Sequence, residues 1–188
     1  LVGSEMCIRD RGANIGRSFG LQIEETLTGF KYIGDKINTY EQTGDKEFVI
    51  GYEESYGYLV GTHARDKDAV VSAMLICQMA AWYKNQGKTL VDALHAVYEK
   101  YGYYKDAVKS IELKGIEGLA KIQEILETLR NNTPTEIGGY HVVSARDYKL
   151  DTVKDMKTGE VHPTGLPASN VLYYDLNDGA WLCVRPSG

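Results

Sequence analysis

The chain has 188 residues, 43% of them hydrophobic and 25% charged, which suits an ordinary globular protein of one large or two small domains. A net charge of −5 without a basic cluster argues against a nucleic-acid surface, and no apolar run approaches the roughly 20 residues of a membrane-spanning helix. Cys7, Cys77 and Cys183 are too scattered for a metal site; the last two lie in apolar runs and read as reduced core residues of a cytosolic protein.

Residues 1–11, LVGSEMCIRDR, share no pattern with the rest of the chain. They carry Glu5, Arg9 and Asp10 where a signal peptide would need an apolar core, and they read as a non-native, adapter-derived segment, left out of the expected fold. Residues 21–26 alternate like a short strand. From 29 to 40, Phe30, Ile33 and Ile37 recur at spacings of three and four, which predicts an amphipathic helix with Thr28 as its cap. A turn at Thr43-Gly44-Asp45 leads to a strand over 47–50. Beyond a glycine-rich loop, apolar residues all round the helical stretch from Asp68 to before Gly87 predict a helix buried on more than one side. Thr89 caps a further helix, with Leu90, Leu94 and Val97 on its buried face and Gly102 at its end. Strand–helix alternation of this kind implies a layered α/β domain with some parallel pairing over 12–106.

A second unit covers 107–188. It opens with a candidate strand over 110–113 and a helix over 116–130 that turns Ile122, Ile125, Leu126 and Leu129 inward. Strands lie at 140–145, 171–175 and 181–184, the last two joined by a tight Asp178-Gly179 turn. The glycines and prolines of 149–169 suggest a long irregular connection. One helix on a mostly antiparallel sheet is an α+β arrangement. No internal repeat is visible.

The densest chemistry lies in the loop 51–68, GYEESYGYLVGTHARDKD, between a strand-like run and a helix N-terminus, a common place for ligands in α/β proteins. Glu53 can accept two hydrogen bonds from vicinal hydroxyls, and Ser55 can supply a third. At i and i+2 of an extended segment both face the same way, turning Glu54 aside toward a surface or ion-pair role. The plainer alternative pairs Glu53 with Arg65 or Lys67 and leaves Ser55 to cap a turn. His63 is either a ligand contact or a structural loop histidine. Asp66 and Asp68 suit the positive end of the adjoining helix. At the far end, Arg185, Ser187 and the Gly188 N–H offer a fork of donors, a hydroxyl and a backbone amide, either the start of a phosphate cradle or an ordinary turn. The tyrosines of 98–104 favour packing over sugar stacking.

Three of these segments resemble motifs of the α-D-phosphohexomutase superfamily, the phosphoglucomutases and phosphomannomutases. Tyr52-Glu53-Glu54-Ser55-Tyr56-Gly57 is similar to the superfamily's Gly-Glu-x-Ser-Gly sugar loop, with Tyr52 in place of the first glycine and Gly51 one residue earlier. Thr28-Gly29-Phe30-Lys31 resembles its Thr-Gly-aromatic-Lys helix start, and Arg185-Pro186-Ser187-Gly188 the opening of its phosphate loop. The sugar-loop wording is most like the bacterial phosphoglucomutase branch. The resemblance implies a sugar-binding third domain over 12–106 and a truncated phosphate-binding fourth domain over 107–188, a fragment cut at both ends. It implies that Glu53 and Ser55 hold sugar hydroxyls, aided by Thr28, Gly29, Arg65 and His63. Lys67 becomes a phosphate contact or proton-transfer group, and Arg185, Ser187 and Gly188 bind phosphate. The implied reaction interconverts glucose 1-phosphate and glucose 6-phosphate in the cytoplasm through glucose 1,6-bisphosphate. No Ser-His-Asn-Pro or Asp-Gly-Asp-x-Asp-Arg run occurs; the resemblance therefore implies that the phosphoserine and Mg²⁺ sites belong to missing N-terminal domains, that this chain binds no metal, and that alone it is inactive. Open alternatives are a phosphomannomutase or phosphopentomutase, or a non-catalytic sugar-phosphate-binding module.

Overall fold

The computed structural model describes residues 2–5, 9–53 and 56–186, with only the backbone of 2–5, 9 and 10. The chain divides into two compact units, Leu1–Ala107 and Val108–Gly188.

The first unit runs β1 (Val2–Glu5), α1 (Arg9–Ser18), β2 (Ile23–Thr26), α2 (Phe30–Thr43), β3 (Ile50–Tyr52), β4 (Tyr58–Val60), α3 (Ala69–Lys84) and α4 (Leu90–Tyr101). Its sheet has the order β2-β1-β3-β4, with β1 parallel to both β2 and β3 and β4 antiparallel to β3. Residues 2–5 and 9–10, left out of the expected fold, do take part in it. Val2–Glu5 form an inner strand, and α1 buries Ala13. A sheet ladder is made by backbone groups, so an extended segment of unrelated composition can complete it.

Helix α2 places Phe30, Ile33 and Ile37 in one core with Phe48 and Leu59, and Ala64 packs against it. Thr28 does not cap it. Gly29 is the N-cap at φ 126°, a conformation open to glycine, and the Thr28 hydroxyl is buried with no hydrogen-bond partner among the described residues. The helix closes on Gly44 in the left-handed region, its N–H donating to the Tyr40 carbonyl. The next strand begins three residues later than its hydrophobic pattern suggests, because pairing with β1 and β4 starts at Ile50 while Phe48 turns into the core.

Helices α3 and α4 start at Asp68 and Thr89 caps, the latter with a reciprocal Asp92 capping box. Their burial differs from expectation. No residue of α3 is buried, and Val70, Met74, Met79 and Trp82 are exposed, as is Cys77. In α4 the buried residue is Ala93, while Leu90 and Leu94 are exposed. Apolarity all round a helix reports how much surface could be covered; among the described residues only one side of α3 meets β4 and α4.

The second unit comprises α5 (Gly115–Asn131), β5 (Glu136–Ile137), β6 (Tyr140–Asp147), β7 (Thr152–Asp155), β8 (Val161–His162), β9 (Leu172–Leu176) and β10 (Trp181–Val184). Its sheet is antiparallel throughout, in the order β10-β9-β6-β7-β8 with β5 beside β6. Leu126 of α5 packs on Val142, Leu172, Tyr174 and Leu176. Three expectations need correcting. Residues 110–113 form no strand. Ile125 is exposed, at the margin of the stripe made by Ile122, Leu126 and Leu129. The stretch 149–169 contains β7 and β8, two short strands whose pairing the glycines and prolines concealed. The β9–β10 turn is as expected, with Asp178 at φ 60° and Gly179 at φ 74°, the twist a tight hairpin requires.

Candidate functional site

The loop between β3 and α3 is pinned at several points. The Glu53 N–H donates to the Gly57 carbonyl at 3.0 Å, and Tyr56 takes the left-handed conformation at φ 64°. The Asp68 N–H donates to the Tyr58 carbonyl at 2.8 Å, tying the end of the loop to β4. Glu54 and Ser55 lie outside the described residues, so the expectation for Ser55 has no counterpart in the geometry.

Within this frame Glu53 and Lys67 come together. The Lys67 ammonium lies 3.2 Å from Glu53 Oε1, 3.5 Å from Asp66 Oδ1 and 5.5 Å above the centre of the Phe30 ring. Glu53 is only 7% exposed, so its carboxylate sits beneath the lysine rather than in bulk water. Burial of a carboxylate is costly without a partner, and Lys67 supplies one. Partial desolvation pulls the Lys67 amine down, but the hydrogen bond and charge of Glu53, joined by Asp66, outweigh it and hold the amine above the ordinary lysine range. The pairing is the one the plainer alternative named. A carboxylate that receives one ammonium hydrogen bond keeps acceptor capacity for others.

Gly57 makes this approach possible. A Cβ there would fall 2.2 Å from Lys67 Cδ and 2.5 Å from Glu53 Oε1. Lys67 passes over the space that a side chain at this position would fill.

Arg65 and His63 are engaged elsewhere. The Arg65 guanidinium meets the Glu41 carboxylate and donates to the Thr62 carbonyl at 2.7 Å. His63 Nε2 lies 2.8 Å from Asp68 Oδ2, whose other oxygen accepts from the Val70 and Val71 amides at 2.8 and 3.0 Å. The His63 hydrogen bond, followed by those amides, holds the Asp68 carboxyl below its usual range. Asp68 thus stands at the positive end of α3, as expected, and in addition caps it. Thr28 and Gly29 immediately precede Phe30, whose ring underlies Lys67.

Arg185 follows β10 and is exposed; Ser187 and Gly188 lie outside the described residues. The sheet beside β10 is cross-linked. Arg146 reaches both oxygens of Asp175, each at 2.9 Å, and lies 5.1 Å over the Tyr173 ring, which stacks on Trp181 of β10 at 5.6 Å. Neither this network nor Glu41 and Gly57 as neighbours of the loop cations were assigned roles from the sequence. Glu41 stands eleven residues after Phe30, three turns along the same face of α2, and helical phase is the signal that could have found it.

The first unit is an α/β layer in which a carboxylate just after its third strand pairs with an ammonium between its fourth strand and α3. Residues 2–101 match the family described as phosphoglucomutase/phosphomannomutase, alpha/beta/alpha domain III. The chain belongs to the phosphoglucomutase/phosphomannomutase family. It is 35% identical to a phosphoglucomutase of Staphylococcus epidermidis over 175 residues, 93% of this chain and 32% of that protein. With a phosphoglucomutase of Staphylococcus saprophyticus it shares 32% identity over 188 residues, 100% of this chain and 33% of the relative. The chain thus spans about a third of the length of the curated relatives it matches. Its fold is similar to the open form of pp63/parafusin, a phosphoglucomutase from Paramecium, at a TM-score of 0.60, 20% identity and coverage of 100% of this chain and 30% of that one. It is also similar to a putative phosphomannomutase from Thermus thermophilus, with a TM-score of 0.54, 17% identity and coverage of 97% and 31%.

Proposed function

We propose that this chain is the sugar- and phosphate-recognising part of a cytoplasmic phosphoglucomutase that interconverts glucose 1-phosphate and glucose 6-phosphate. The observation that carries the reading is the Glu53–Lys67 contact at 3.2 Å on a loop pinned by Gly57 and Asp68, within a unit that matches the family's third domain. In this assignment 12–106 serve as that domain and 107–188 as part of the fourth. Glu53 accepts sugar hydroxyls, joined by Ser55 two residues on in sequence and by the Thr28 hydroxyl, which has no hydrogen-bond partner among the described residues. Because Lys67 covers Glu53, a sugar entering this site displaces or shares the lysine, whose charge then faces the phosphate. Arg65 and His63 act through Glu41 and Asp68, holding the loop, and Arg185, Ser187 and Gly188 receive a phosphate.

Among the described residues no group of three or more His, Cys, Asp or Glu is placed to hold a metal ion. In the proposal Mg²⁺, the phosphoserine and turnover of glucose 1,6-bisphosphate reside in the rest of a longer polypeptide. No helix of the described residues is long and apolar enough to cross a membrane.

The test is kinetic, on a longer polypeptide that carries this segment and turns over glucose phosphates. Glu53→Ala removes a charge-assisted hydrogen bond worth about 1.5–3 kcal/mol, an expected loss of roughly 10- to 100-fold in kcat/KM. Ser55→Ala removes a neutral one, about 0.5–1.5 kcal/mol, for a loss of roughly two- to tenfold. Unchanged kcat/KM in both variants would end the sugar-binding assignment.

A further inference from the structure

We propose that Gly34, in the interior of α2, is a positioning residue that seats the 61–68 loop and thereby sets Lys67 against Glu53. A helix-interior glycine is locally unfavourable compared with alanine, and Gly34 has an ordinary helical φ, so the backbone conformation gives no reason for it. The reason is steric. A Cβ on Gly34 would fall 2.6 Å from the Arg65 carbonyl oxygen and 3.5 Å from Arg65 Cβ. A carbonyl oxygen is part of the main chain and cannot swing aside as a side chain does, so a methyl group here moves the loop itself.

The loop rests on α2 at three places, all on one face. Phe30, Gly34 and Glu41 fall within about 40° of one another at 100° per residue. The Phe30 ring lies under the Lys67 ammonium at 5.5 Å, Gly34 lies under the Arg65 carbonyl, and Glu41 holds the Arg65 guanidinium. Phe30 is buried and cannot follow a displaced loop, and on the other side Ala64 packs against the same core as Ile33 and Ile37. Lys67 is two residues from the Arg65 carbonyl. Lifting that carbonyl draws the ammonium away from Glu53, whose backbone is held independently by the Gly57 carbonyl. Gly34 and Gly57 therefore act at different points, one giving the loop its seat and the other giving the lysine stem its path. The consequence for sugar phosphates rests on the function proposed above; the consequence for the Glu53–Lys67 contact does not.

The experiment uses the 188-residue chain and nuclear magnetic resonance. In the unsubstituted chain, nuclear Overhauser contacts are expected between the Gly34 α-protons and the Arg65 β-protons, and their absence overturns the proposal whatever the variants do. Gly34→Ala should lower Tm, although alanine normally raises it in a helix, and should move the Lys67 titration to lower pH. Its amide shift changes should be confined to α2 and residues 57–68, leaving β6 and β9 in place. Ile33→Val is the control: it loosens the same core and lowers Tm but leaves the Lys67 titration where it is. A higher Tm with an unchanged Lys67 titration in Gly34→Ala, or an equal shift of that titration in Ile33→Val, overturns the positioning role. Binding of glucose 1-phosphate to the unsubstituted chain reads the functional assignment separately, since its absence leaves the Lys67 titration result intact.

Discussion

Helices α2 and α3 lie in the same unit, and their sequences suggest the reverse of their burial. α2 mixes lysines, aspartate and threonines with few apolar residues, yet it buries Phe30, Ile33, Gly34, Ile37 and Tyr40. α3 is apolar nearly all round, yet it buries none of its residues. Periodicity explains the first. In α2 the apolar residues align into one stripe, and a stripe fits a sheet. In α3 apolarity has no phase, so the sequence does not say which residues face β4 and α4, and those contacts leave much of the helix exposed. What stabilises the unit is thus the alignment of apolar residues rather than their number.

The largest expected effect comes from breaking the α2 stripe. Ile37 is fully buried, and Ile37→Ala should cost about 2–5 kcal/mol in chemical denaturation, through lost transfer energy and the cavity left behind. A cost below about 1 kcal/mol would mean that α2 is not the core helix described.

The charges behind α2 give a smaller, pH-dependent effect. Lys36 and Lys46 meet the Glu24 carboxylate at 2.8 and 2.7 Å. Burial alone raises the Glu24 pKa, but Lys36, Lys46 and Tyr40 overcome it and lower it from 4.5 to about 2. A depressed carboxylate pKa stabilises the folded state above the unfolded value, and that contribution fades as pH falls from 4.5 toward about 2. With solvent screening the loss is of order 1–3 kcal/mol. Denaturation midpoints measured across this window should fall more steeply for the unsubstituted chain than for Glu24→Gln; parallel curves would remove Glu24 from the account.

Next comes the start of α3. Asp68→Ala leaves the Val70 and Val71 amides without their acceptor and should cost about 1 kcal/mol, a change readable in Tm. The smallest effect is expected on α3's open side. Met74→Gln and Trp82→Gln should each change stability by less than about 0.5 kcal/mol, because both side chains are already exposed. A loss above about 1 kcal/mol, together with earlier elution on gel filtration in the unsubstituted chain, would show that side to be covered by another copy.

Local signals along the chain carry much of the fold. The helices α2, α4 and α5, the glycines that end the first two, the Thr89 and Asp68 caps and the Asp178-Gly179 turn follow from interactions within a few residues. The loop 51–68 announced itself through its carboxylates, glycines and cations, and its motif resemblance led to the family that residues 2–101 match. Other features exist only through long-range contacts. The inner place of Val2–Glu5 depends on backbone pairing with strands twenty and more residues away, to which composition is indifferent. The same holds for β7 and β8, two short strands defined by the partners they find. Which loop cation meets Glu53 was open between Arg65 and Lys67, since both carry the same charge within two residues. Glu41 settles it by drawing Arg65 toward α2, and Gly57 by clearing the way for Lys67. Charge can be read from a sequence one residue at a time, but an ion pair is a choice among neighbours that only the folded chain brings within reach.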